Sequence, residues 1–184
     1  MAKLSSAAWI AHDVGLATAI GGTMFGREAL EPALDEISDR HQRAQVSNVA
    51  WRRFSWLNLA GHVAVAATWF VGRSMLSGRA VSKTARTLTL AKDGLIVASL
   101  ATGLASMILG RVLGSRTAHN AAIATNSSGT SDAYGPAHDR LRTAVGTLGI
   151  ANLAANIGIV GVTAALSMEA SQSLPFSVVS RRLP

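Results

Sequence analysis

Cysteine is absent from all 184 residues. Its absence removes disulfide frameworks, Cys-ligated zinc, iron–sulfur clusters and thiol catalysis together. Charge is scarce as well. Asp, Glu, Lys and Arg make up 15% of the chain against 49% apolar residues, and the mean hydropathy is +0.30. So little charge excludes a disordered, collagen-like or coiled-coil chain and points to a bilayer. Aromatic residues amount to only 5%. No basic groove interleaved with aromatics and no recognition motif accompanies the net charge of +7, so nucleic acid is excluded as a partner and anionic lipid headgroups are the expected counterpart. Catalytic signatures are missing too: there is no Gly-x-Ser-x-Gly, His-Glu-x-x-His, phosphate-binding loop or dinucleotide fingerprint, and the chain is not expected to be an enzyme.

What the chain does have is long apolar stretches. A helix crossing a hydrocarbon core of about 30 Å needs about 20 residues, because lipid offers no partner to a stray backbone amide. Residues 4–26, 54–72, 88–110 and 143–166 meet that demand, and Pro32, Pro136, Pro175 and Pro184 all fall outside them. The expected fold is an all-α integral membrane protein, a single membrane domain with four transmembrane helices in a bacterial cytoplasmic membrane. Gly26–Arg27, Gly72–Arg73 and Gly110–Arg111 close the first three spans with a capping glycine and a snorkelling arginine. Trp51 and Trp69 bracket the second span about 27 Å apart along the helix, which predicts an indole at each interface.

The first connection, residues 27–53, is charged, with Leu30, Leu34 and Ile37 at helical spacing and Pro32 suited to a first turn. An amphipathic surface helix is expected over residues 32–46, with Glu36/Arg40 and Asp39/Arg43 as acid-then-base pairs. Glu28, Glu31 and Asp35 with His41 nearby could hold a cation, but the neighbouring arginines favour a solvated face, so no metal site is assigned. Residues 73–87 form a short acid-free connection, residues 111–142 read as a long polar loop, and residues 167–184 as a C-terminal tail on the interface or a partner. Lys and Arg divide almost evenly between the two sides, and the compact acid-free connection tips the termini toward the cytoplasm.

The two halves of the chain resemble each other. Ala11-His12-Asp13 aligns with Ala91-Lys92-Asp93, and the run from Asn58 through His62 aligns with that from Asn152 through Asn156. Two tandem helix hairpins would be related by an axis along the membrane normal; the alternative is chance similarity between Ala- and Gly-rich helices. The aligned polar residues predict an intramembrane layer of His12, Asp13, Asn58, His62, Lys92, Asp93, Asn152 and Asn156. Helical rise places His12 and His62 at one depth, about 12 and 15 Å inside the bilayer, and Asp13 is expected to meet His62. The layer reads as hydrogen bonding between helices, as a proton or ion path, or as a haem site with His12 and His62 as axial ligands. No resident cofactor is assigned.

Small residues four apart, Gly22/Gly26 and Ala154/Gly158, mark helix-packing faces too numerous for one four-helix contact set. The expected function is that of an accessory subunit or self-associating scaffold, with the lipid bilayer and other membrane subunits or further copies as partners. The alternatives are a small ion- or proton-coupled transporter or channel, and a haem-binding redox subunit.

Overall fold

The computed structural model describes residues 2–74, 82–126 and 136–172. Every element among them is helical: α1 (Ala2–Phe25), a π-helical turn (Gly26–Leu30), α2 (Glu31–Asp35), α3 (Arg40–Ser74), α4 (Lys83–Asn126) and α5 (Pro136–Gln172). Arg40–Arg73, Lys83–Ser115 and Asp139–Glu169 are long and apolar enough to cross a membrane. The first expected span is helical throughout, but α1 is not in that set, since His12 and Asp13 dilute the hydropathy of its middle.

The four long helices form a ring. α1 packs on α3, α3 on α4, α4 on α5, and α5 closes back on α1, which leaves α1 diagonal to α4 and α3 diagonal to α5. Neighbours run antiparallel: Gly15 meets Gly61 and Gly22 meets Phe54, while Ser99 meets Asn156 and Thr102 meets Asn152. The apolar core is Leu16, Val65, Trp69, Ile96, Ile159 and Leu166, with Ala85 at one end. Large apolar side chains such as Ile10, Phe25, Val63, Val97, Ile108 and Ile157 point outward, as lipid-facing positions require.

The first connection departs from the single amphipathic helix expected over residues 32–46. It divides at residues 36–39 because Asp39 caps α3, its Oδ1 accepting the Gln42 N–H at 2.9 Å. Arg43 folds back so that its Nε and Nη2 donate to the Ile37 carbonyl at 3.0 and 2.6 Å, filling a carbonyl left open where the helix stops. Its ion-pair partner is Asp35 at 3.4 Å, so Asp39 serves as a cap and not as the partner of Arg43.

The expected loop over residues 111–142 is largely helix, since α4 continues to Asn126 and α5 begins at Pro136. Alanine-rich sequence sustains α4 beyond its apolar span, and proline suits the first turn of α5. Ser82 caps α4 by accepting the Ala85 N–H at 3.0 Å and donates to Glu169 Oε1 at 2.6 Å, tying the start of α4 to the end of α5. The Ser/Gly-rich run 127–135, most of the connection at 75–81 and the tail from 173 onward lie outside the described residues.

Candidate functional site

Seven polar or charged residues are buried within the ring: His12, Thr23, His62, Lys92, Ser99, Asn152 and Asn156. They are supplied by all four long helices, and those that bond to one another do so between the neighbours α4 and α5, within α5, and across the diagonal from α3 to α5. Water is not available to such groups at this depth, so each donor and acceptor needs a protein partner.

The centre is His62. Its Nδ1–H donates to the Asn58 carbonyl one turn earlier at 2.7 Å, which leaves Nε2 as an acceptor. Across the bundle on α5, Asn152 Nδ2 donates to that nitrogen at 3.1 Å and Asn156 Nδ2 approaches it at 3.4 Å. Asn152 Nδ2 also donates to the Ser99 carbonyl at 2.7 Å and stands 3.2 Å from Thr102 Oγ1 on α4, its two hydrogens being shared among the three acceptors. Asn156 Nδ2 donates to the Asn152 carbonyl at 2.8 Å and to Asn152 Oδ1 at 3.1 Å, and Ser99 Oγ donates to Asn156 Oδ1 at 3.0 Å. Three helices are joined by a network in which both nitrogens of His62 and both amide groups are engaged.

A second group lies nearer the terminal end. The Trp69 indole is fully buried, its Nε1–H donating to Asp93 Oδ1 at 2.8 Å, and the Lys92 ammonium stands 4.0 Å from the centre of its ring. Arg73 forms an ion pair with the other oxygen of Asp93. His12 and Lys92, both fully buried, belong to α1 and α4, which stand on the other diagonal. The Thr68 hydroxyl donates to the Ala64 carbonyl at 2.7 Å, so its oxygen accepts His12 Nδ1–H at 3.2 Å. His12 Nε2 is thereby left as a bare acceptor. It and Asn58 Oδ1 are buried without a hydrogen-bond partner among the described residues.

Most of the expected layer is therefore brought inside the bundle, but as two groups. The His12 and His62 rings do not share a level: His12 meets Thr68, six residues beyond His62 on α3, whereas the His62 ring turns back to the Asn58 carbonyl. The backbones nearly do, since the meeting of Gly15 with Gly61 puts His12 level with residue 64, about 3 Å from His62 along the axis, so the separation comes from the directions of the side chains. Asp13 is exposed and is not among the partners of His62, which lie on α3 and α5. A bis-histidine haem site does not fit, because both His62 nitrogens are engaged and the two rings sit at different heights.

Trp69 is a core residue and not the interfacial anchor expected of it, since a span's position along its helix does not fix the rotation of its side chains. Gly22 and Gly26 face Phe54 and Trp51, and Gly158 faces Leu95 at 3.1 Å from where a Cβ would stand, so these three glycines pack within the chain. Of the four small residues expected on assembly faces, only Ala154 is exposed.

Thr68, Trp69, Arg73, Ser99 and Thr102 were not expected in the site. Ser99 and Thr102, three apart on α4, carried a usable signal because hydroxyls at that spacing share a helix face.

No known protein family, curated protein or solved structure matches this chain.

Proposed function

We propose that this chain is a four-span integral membrane protein made of two related helix hairpins, working as an accessory subunit or self-associating scaffold of a membrane complex. One observation carries the reading: the central network closes on itself. His62, Asn152, Asn156 and Ser99 bond to one another, and every side-chain donor among them has an acceptor on the protein. Such a network joins helices, each bond contributing about 0.6 kcal/mol in a bilayer.

Two further features support the membrane setting and the hairpin repeat. The pairs Trp56/Arg111 and Arg73/Asp93 stand at opposite ends of the α3–α4 contact, about 26 Å apart by helical rise, close to the thickness of a hydrocarbon core. Aligned residues also lie on diagonal helices, buried His12 and Lys92 on α1 and α4, and His62 opposite Asn156 across α3 and α5. A twofold relation along the membrane normal produces that pattern. Outward-facing Ala154 and Gly161 on α5, the latter with open space where a Cβ would stand, offer close approach to another helix.

The test is the mass of the protein extracted from native membranes in mild detergent. A species heavier than one chain plus its detergent, or a co-purifying subunit, is expected. A monomer across dilution in several detergents with nothing co-purifying removes the scaffold reading.

A second reading, ion or proton coupling, is favoured by one observation: the bare His12 Nε2 acceptor on the same diagonal as the buried Lys92 ammonium. Proton flux in proteoliposomes that is lost in Lys92→Met would put this reading first.

A further inference from the structure

The two ends of the α3–α4 groove differ chemically. At the terminal end Arg73 is neutralised by Asp93. At the other end the Arg111 guanidinium lies 5.1 Å from the centre of the Trp56 ring, and both side chains are exposed. Arg52 and Arg53, one turn along α3 from Trp56, are exposed beside them. Neither helix supplies an acid there. Residues Arg40–Ser74 contain no Asp or Glu, and the only one in Lys83–Asn126 is Asp93, about 27 Å from Arg111 along α4. The acids at that end of the bundle include Glu28, Glu31, Asp35, Glu36 and Asp39. They belong to the segment leading out of α1, which packs on α3 and not on α4, and Asp35 is held by Arg43. Three guanidinium groups thus share a patch without a carboxylate from either helix. Toward the middle of the bundle, exposed Val63 on α3 and Leu104 and Ile108 on α4 continue the surface in apolar form.

We infer that this end of the groove binds the phosphate of an anionic diacyl phospholipid, with its acyl chains lying toward Val63, Leu104 and Ile108. Guanidinium groups match phosphate oxygens through paired N–H donors. The Trp56 ring holds Arg111 by its face, so less side-chain freedom is lost when the headgroup arrives. Height agrees as well: with the Arg73–Asp93 pair at one bilayer boundary, Arg111 stands at headgroup depth on the other. A zwitterionic lipid carries its own ammonium into the acid-free patch and forfeits the advantage. The site rests on the bilayer reading, but not on the scaffold reading.

The full chain in neutral detergent is titrated with phosphatidylglycerol and with phosphatidylcholine of identical acyl chains, and bound lipid is counted by native mass spectrometry. The wild type is expected to retain one phosphatidylglycerol with a preference of about fivefold or more, the effect of about 1 kcal/mol per arginine near an anionic headgroup. Arg111→Gln should lower the preference by about fivefold, and Trp56→Leu should lower it by less. Arg140→Gln, which removes an exposed arginine from α5 at the same end, should leave it unchanged. Circular dichroism confirms that each variant is folded, and the double change Arg52→Gln/Arg53→Gln stands in if Arg111→Gln is not. Equal binding of both lipids by the wild type, or the same loss in Arg140→Gln as in Arg111→Gln, overturns the site. If sealed-membrane labelling still shows opposite-side connections, that result removes the lipid site and leaves the bilayer reading intact.

Discussion

Gly15 and Gly61 bring the backbones of α1 and α3 into direct contact. A Cβ on Gly15 would stand 2.6 Å from the Gly61 carbonyl oxygen, and one on Gly61 would stand 2.9 Å from that of Gly15. Neither obstacle is a side chain that can swing aside. The first hairpin therefore takes its register from two missing side chains, and His12, Leu16 and Ala19 on α1 are buried along the same face.

Gly15→Ala or Gly61→Ala is expected to lower stability by about 1–3 kcal/mol, the usual cost of overpacking a close contact. Gly21→Ala, where a Cβ meets nothing within 4 Å, should be neutral or slightly stabilising. Unfolding midpoints in a mixed-micelle titration check this, and equal effects at Gly15 and Gly21 would remove the contact as the determinant of register.

His62 and Asn152 should be energetically coupled. Asn152→Leu takes the nearer donor from the His62 Nε2 acceptor, at about 1–3 kcal/mol, whereas His62→Leu leaves the Asn152 amide its Ser99 and Thr102 partners and costs less. The double variant should recover about 0.6 kcal/mol of the summed loss, and up to about 1.7. Strict additivity in the double-mutant cycle would mean that the bond is not made.

Trp69 has two separable roles. Trp69→Phe keeps a ring beneath the Lys92 ammonium and loses only the Nε1–H bond to Asp93, whereas Trp69→Leu loses both. Thermal unfolding should rank wild type above Phe and Phe above Leu, with the ring contributing at least about 0.5 kcal/mol. Identical midpoints for the two variants would show that the ring face does not stabilise the cation.

Topology can be read with an impermeant maleimide. Ser38→Cys and Lys83→Cys are both exposed and lie at opposite ends of α3. In sealed vesicles of one orientation only one of them should react from outside. Reaction of both would end the four-span reading.

The helices themselves were legible in the sequence, because a run of about 20 apolar residues has few alternatives in lipid. So was the burial of His12, His62, Lys92, Asn152 and Asn156, since polar groups inside such helices turn inward. Rotation and register were not legible. Hydropathy is blind to which side of α3 carries Trp69, and to Gly15 meeting Gly61 instead of a neighbour one turn away. Small residues four apart also occur along each of the four long helices, so the spacing of Gly22 and Gly26 did not distinguish an outer contact from the seats of Phe54 and Trp51. The extension of α4 to Asn126 leaves no hydropathy signal because it is polar, and only its alanine content announces it.

The diagonal bond from α3 to α5 also bears on how the chain is made. His62 and its partner Asn152 are separated by 90 residues. At about 5–20 residues per second, synthesis of that interval takes roughly 5–18 s. During that time the first hairpin, already zipped at Gly15 and Gly61, holds an imidazole whose outward nitrogen has no Asn to accept from. Insertion of the last helix ends that wait, and a chain truncated before Asn152 is therefore expected to be held by the insertion machinery or degraded instead of settling as a free unit of α1, α3 and α4.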